Sequence, residues 1–252
     1  MGKISFVGIP PVPWEGILRN KEECKKRGYP RIVDSDKRDG RLAVVGGSPS
    51  VLSYLDEIRA CQEVWAINGA CQLLAKHGIE STMLAMDPDP IVVKWCGGVK
   101  KAILCDRVCP EAFDALEGAE ISVFELINDA PDGVIAGSSS ASAAFSLGIR
   151  MGWAYIDFFG VDSSFEGQTH VYQDEGRKEL LWVECGGKEY KTAPDFYLQA
   201  VEMSGIIRHL PKHYRAFGDG LLQAMIRDPE HDVVYVSREL HKQLRPVECP
   251  SS

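Results

Sequence analysis

No C-x-x-C pair occurs among the eight cysteines, Cys24, Cys61, Cys71, Cys96, Cys105, Cys109, Cys185 and Cys249. Cys105 and Cys109 have a spacing that zinc accepts, but no second pair matches them. Scattered, reduced thiols of a cytoplasmic protein are therefore the expectation. No apolar run approaches the roughly 20 residues of a membrane span. The opening KISFVGIPPVPW is too short and too broken by proline to serve as a signal peptide. Basic residues are in deficit, with 28 Lys and Arg against 36 Asp and Glu and a formal charge of −8. That balance argues against duplex nucleic acid as a partner, which needs a basic footprint, but leaves room for a local site that takes a small anion. Neither G-x-x-x-x-G-K-[ST] nor G-x-G-x-x-G is present. The first absence excludes a P-loop kinase, and the second disfavours a nicotinamide dehydrogenase.

What is present is a chain long enough to bury a real core, 45% hydrophobic and 25% charged. It is organised around residues 41–50, RLAVVGGSPS. Leu42 to Val45 form the short apolar run of a buried parallel strand. Gly46 and Gly47 permit a tight turn, Ser48 suits an N-cap, and Pro49 suits the first helical position. A helix is expected to follow through about Gln62, with Val51, Leu52, Leu55 and Ile58 on its buried face. Free amides and a positive dipole end would then converge on one point fit for a phosphate. A plain strand-to-helix turn is the competing reading.

Short apolar runs alternate with helical stretches along the rest of the chain. Strands are expected at 3–8, 64–67, 81–86, 101–105, 121–126, 134–136, 155–160 and 213–217. Helices are expected at 71–77, 111–117, 141–151, 195–210 and 221–226, and 180–192 resembles a β-hairpin through Gly186 and Gly187. This pitch predicts an α/β fold: a mostly parallel sheet with helices on both faces, plus the hairpin and a C-terminal helical addition. Three parts follow: an N-terminal strand and polar excursion (1–40), a core (41–172), and the hairpin with C-terminal helices (173–252). Lys21, Lys25, Lys26, Arg27 and Arg31 cluster in the excursion. There a solvated segment with a short helix at Lys21–Arg27 is preferred to a pocket cover that lends cations.

Right-handed crossovers put every strand's carboxyl end on one edge, where ligands of such sheets bind. Gly137, Ser138, Ser139 and Ser140 repeat the glycine-serine logic ahead of an alanine-rich helix and form a second candidate anion nest. Asp87 and Asp89 flank Pro88 at a strand end. A magnesium ion, a ribose hydroxyl and simple capping all remain open for this turn. Asp162 follows a later strand, and Glu166 and His170 follow it in a loop. His170 is either an ordinary loop histidine or a general base acting on an acceptor hydroxyl.

Together AVVGGSPS (43–50), AINGA (66–70), the Asp87-Pro88-Asp89 turn, GSSSASAAFSLGIRMG (137–152) and IDFFGVDSSFEGQTHVY (156–172) resemble a known family. It is named after the archaeal 6-hydroxymethylpterin diphosphokinase and includes the bacterial motility accessory factors. The first loop is also similar to that of bacterial sialyltransferases. The resemblance implies a Rossmann-like fold with a nucleotide at the strand ends. It implies either magnesium-dependent pyrophosphate transfer from ATP to a pterin alcohol, or transfer of a nonulosonic acid from a cytidine nucleotide such as a CMP-sugar to a glycan or protein acceptor. By motif position it makes Gly46, Gly47, Ser48, Ser50, Asn68, Gly137, Ser138 and Ser139 nucleotide contacts. Asp87, Asp162 and His170 then lie nearest the reacting groups, with Asp87 and Asp89 as candidate metal ligands. Where the family commonly has glycine before the proline, this chain has Ser48. A nucleotide-dependent transferase is the leading expectation, with the glycosyl form slightly ahead; a non-catalytic nucleotide-binding module is the alternative.

Overall fold

Val44 of the organising strand lies against Trp65 on one flank and Phe158 on the other, and that register sets the architecture. In the computed structural model, which describes residues 12–127, 129, 132–137, 139–165 and 181–228, the elements follow in chain order. They are α1 (Trp14–Arg27), β1 (Arg38–Val45), α2 (Leu55–Arg59), β2 (Glu63–Ile67), α3 (Ala70–Lys76), β3 (Thr82–Ala85), β4 (Lys101–Cys105), α4 (Pro110–Ala115) and β5 (Glu120–Phe124). Then come α5 (Ser140–Arg150), β6 (Trp153–Phe159), β7 (Leu181–Cys185), β8 (Lys188–Thr192), α6 (Pro194–His209), β9 (Tyr214–Phe217) and α7 (Leu221–Arg227). Seven strands form one parallel sheet in the order β5-β4-β3-β2-β1-β6-β9, and β7 with β8 makes the antiparallel hairpin. The expected α/β class, hairpin and C-terminal helices are all found.

From β1 to β5 the chain steps outward one strand at a time. It then returns through α5 to the other flank of β1. Right-handed crossovers in opposite directions place α5 on the face opposite the earlier helices. Its small residues Ala141, Ala143, Ala144 and Gly148 allow close approach. A Cβ on Gly148 would stand 2.7 Å from Ile156 Cδ1. Leu42 to Val45 are fully buried, in a core that also holds Trp65, Leu84, Leu104, Phe158 and Phe159. The direction of winding reverses between β1 and β6. In open sheets a crevice forms at that reversal, outside the carboxyl ends of the strands.

One charged group lies inside the sheet. Asp157 on β6, 1% exposed, accepts from Arg41 Nη1 of β1 at 2.9 Å. It also takes both Nε and Nη2 of Arg215 on β9, at 2.8 and 2.6 Å. Burying a carboxylate is costly unless it is paired and hydrogen-bonded, and here three adjacent strands share the pairing.

Several expectations are corrected. Ser48 opens not an α-helix but a 3-10 helix, Pro49–Tyr54, before α2. Val51 N–H bonds Ser48 O at 3.2 Å, and this tighter winding turns Leu52 out to 46% exposure. The short helix at Lys21–Arg27 is a 14-residue helix from Trp14, with Pro13 at its cap and Ile17, Asn20 and Cys24 buried. Val134–Ala136 is not a sheet strand; Val134 makes a single bridge with Leu126. The expected strand at 3–8 and the loop positions of Glu166 and His170 lie outside the described residues. Among the described residues no helix is long and apolar enough to cross a membrane.

Candidate functional site

A cleft of about 320 Å³ opens where the sheet reverses, and the turns after β1, β2, β3, β4 and β6 all border it. The first wall is two touching turns. Gly46 N–H bonds Phe159 O at 2.8 Å and Ser48 N–H bonds Gly160 O at 3.0 Å. A Cβ on Gly46 would come 2.4 Å from Gly160 O, so only glycine allows this approach. The Ser48 hydroxyl does not cap its helix. It donates to Asp162 Oδ2 at 2.5 Å. Asp162 is enclosed on its other side by Gly218 and Gly220, where added Cβ atoms would meet it at 2.3 and 2.4 Å.

The next residue is strained and heavily supported. Ser163 has φ +56, yet its hydroxyl takes Gln199 Nε2 at 2.8 Å and its carbonyl takes Thr192 Oγ1 at 2.6 Å. Asn68, at the end of β2, has φ +51. These are the non-glycine residues with positive φ among the described residues, and both line the cleft. Backbone strain of this kind persists where surrounding bonds over-determine it and gathers at functional sites. Asn68 also carries a buried amide oxygen, Oδ1, without a hydrogen-bond partner among the described residues.

The acid turn divides its duties. Asp89 is the cap of a 3-10 helix, Pro90–Trp95, accepting from Ile91 N at 2.8 Å, and it does not line the cleft. Asp87 does line it, while its Oδ1 accepts from Asp89 N at 3.0 Å. Among the described residues no three His, Cys, Asp or Glu groups converge closely enough to hold a metal ion. Of the two candidate metal ligands in this turn, Asp87 borders the cleft and Asp89 does not.

Of the expected nucleotide contacts, Gly46, Gly47, Ser48, Asn68 and Ser139 line the cleft with Asp87 and Asp162. Ser50 and Gly137 do not. Ser138 and His170 fall outside the described residues. Ser139 caps α5, its hydroxyl accepting from Ser142 N at 3.2 Å. The GSSS turn has an anion of its own, however. Glu202 of α6 accepts from Ser142 Oγ at 3.2 Å, and its Oε2 lies 2.5 Å from where a Gly137 Cβ would be. Glu202 thus serves the amino end of α5, not its own helix as its place in the sequence suggests.

Sequence reasoning missed the far wall. Ile17 of α1, Leu126 and Arg107 line the cleft there, and Asp195 and Phe196 enter it from the start of α6. The strip that fixes this wall is ionic. Lys21 Nζ lies 2.9 Å from Asp129 and 3.3 Å from Asp106, and Arg107 binds Asp129 through Nε and Nη2 at 2.8 and 2.9 Å. Asn20 Nδ2 donates to Arg107 O at 3.0 Å. Of the clustered cations of the N-terminal segment, Lys21, Lys26, Arg27 and Arg31 are paired within the protein, Arg27 with Asp114 and Arg31 with Glu125. A spacing of Ile17, Asn20 and Cys24 at helical intervals was the available signal, obscured by the prolines before Trp14.

Burial works to raise the Asp129 carboxyl, but Lys21 and Arg107 outweigh it and hold it below its ordinary 3.8. Asp129→Asn should therefore lower stability at pH 7 by about 2 kcal/mol, the scale of a hydrogen bond to a charged group. A carboxyl with a depressed folded pKa stabilises above its unfolded value and loses that effect as the pH falls through the folded one. Urea melts of wild type and variant should accordingly converge as the pH drops below 3.8. A gap unchanged in acid would show that the Asp129 charge contributes nothing.

No protein-family model matches the chain. Among curated proteins, the large ribosomal subunit protein uL18 of Oikopleura dioica is 30% identical over 132 residues, covering 47% of this chain and 44% of that protein. Among solved structures, the MAf glycosyltransferase from Magnetospirillum magneticum AMB-1 matches with a TM-score of 0.62 at 12% identity, over 85% of this chain and 41% of that chain. This chain therefore spans less than half the length of either protein. The expected likeness to the motility accessory factors is met at the level of fold.

Proposed function

We propose that this chain is a nucleotide-dependent transferase that binds a sugar nucleotide in the cleft and passes the sugar to an acceptor hydroxyl. The observation that carries the reading is convergence: Ser48, Asn68, Asp87, Ser139 and Asp162, up to 114 residues apart in the chain, border one cleft at the sheet's reversal point. The fold it shares with a glycosyltransferase supports the same reading. Asp87 would accept from a ribose hydroxyl, and the turn at Gly47 and the Ser139 hydroxyl would face the phosphate. Asp162, fixed by Ser48, keeps the two wall turns together beside the reacting groups. His170 would take the proton of the acceptor hydroxyl as the glycosidic bond to the leaving phosphate breaks. The formal charge of −8 gives no support to an RNA-binding role.

A second reading, pyrophosphoryl transfer from magnesium-bound ATP to an alcohol, draws on the carboxylates of Asp87, Asp162 and Asp195 around the cleft. Both are tested by one measurement. CMP and CDP should raise the melting temperature without magnesium if the first reading holds, because a ligand of the folded state stabilises it by mass action. ATP should do so only with magnesium if the second holds. No shift with any nucleotide removes both. Binding that survives in Asp87→Ala and His170→Ala together with the protein's biological role would instead mark a non-catalytic binding module.

A further inference from the structure

We infer that the cleft has a second subsite at its far wall, where Arg107 takes an oxyanion of the ligand, phosphoryl or carboxylate. The inference deepens the reading above and rests on the cleft being a ligand site. Arg107 follows β4, three strands from β1 in the sheet, which at the usual strand spacing is about 14 Å from the Gly46 turn. It is the cationic side chain among the described residues that line the cleft, where Asp87, Asp162 and Asp195 supply the opposite sign. A ligand anion therefore has one charged partner to find.

The guanidinium is aimed as well as present. Asp129 engages it side-on through Nε and Nη2, and the Trp14 ring lies 5.5 Å from Cζ. Its backbone carbonyl is tied to Asn20, and its side chain is only 19% exposed. An arginine has five donors, and these bonds use one edge of the fork; among the described residues Nη1 has no partner. Such a pre-oriented fork suits a planar or tetrahedral oxyanion better than a flexible ammonium would. Ile17, Met86, Pro88 and Leu126 line the same cleft and are apolar, so a ligand that carries the anion on an apolar body or stem suits it. Lys21 and Asp129 are positioning residues, because they reach the ligand only through Arg107.

The probes are sodium pyrophosphate, malonate and CMP, read by melting temperature on wild type, Arg107→Gln, Arg107→Lys and Asp129→Asn. Pyrophosphate or malonate should stabilise the wild type, and whichever acts more strongly identifies phosphoryl or carboxylate as the class. Apparent affinity for that anion should fall about tenfold in Arg107→Gln and less in Arg107→Lys, which keeps the charge but not the fork. Asp129→Asn should weaken it in between. Arg107→Lys also serves if Arg107→Gln does not fold. An anion effect equal in all variants, or absent from the wild type, overturns the inference. If CMP stabilises every variant alike while the anion effect follows Arg107, both the subsite and the nucleotide site stand. If the anion effect follows Arg107 and no nucleotide binds, the subsite stands and the transferase reading falls.

Discussion

Gly46→Ala should lower stability by about 3 kcal/mol, the upper range for overpacking a tight site, and should also remove any stabilisation by nucleotide. The added methyl would meet Gly160 O at 2.4 Å and Val161 Cγ2 at 3.0 Å. The first neighbour is backbone, so it cannot swing aside as a side chain would. Relief requires the β1 and β6 turns to part, which breaks the N–H hydrogen bonds of Gly46 and Ser48 and moves Ser48 away from Asp162. Gly97→Ala is the control. Nothing lies within 4 Å of its Cβ position, and a surface change of that kind shifts stability by less than about 0.5 kcal/mol. Equal urea midpoints for the two variants would mean that the contact between the turns is not what holds the cleft wall.

Asp157→Ala should lower stability by about 3 kcal/mol, at the low end of what breaking a buried ion pair does. The low end applies because the orphaned arginines can return to water: their side chains are 31% and 46% exposed. Arg215→Ala should be milder, roughly 1 kcal/mol, since Asp157 then keeps Arg41. Chemical denaturation of the two variants gives the order directly. If Arg215→Ala is the more damaging, the carboxylate is not the hub of the three strands.

The sheet was legible because its strands are short apolar runs buried on both faces, cut off by glycine, asparagine or aspartate. Gly78, at φ +69 after α3, ended its helix where expected. Within the cleft, the residues legible beforehand sit in turns directly after strands, as Gly46, Asn68 and Asp87 do. Arg107 also follows a strand, but a cation beside Asp106 looks like an ordinary surface pair until α1 is seen to fold over it. Glu202 lies within α6, and rules for a residue's own helix do not anticipate that it reaches the start of α5. Ser48 shows the same limit. Its place before Pro49 fits a cap, yet its hydroxyl bonds a residue 114 positions away, and no local rule anticipates such a partner.

The strand order has a kinetic consequence. From β1 to β5 each strand pairs with its chain neighbour, so that half-sheet can assemble through modest loops. The seam between β1 and β6 must instead close over the whole intervening segment, a slower event because long-range pairing spends chain entropy before contacts reward it. The cleft spans that seam. It is therefore among the last features to appear on refolding, and recovery of ligand binding should lag behind recovery of helical signal.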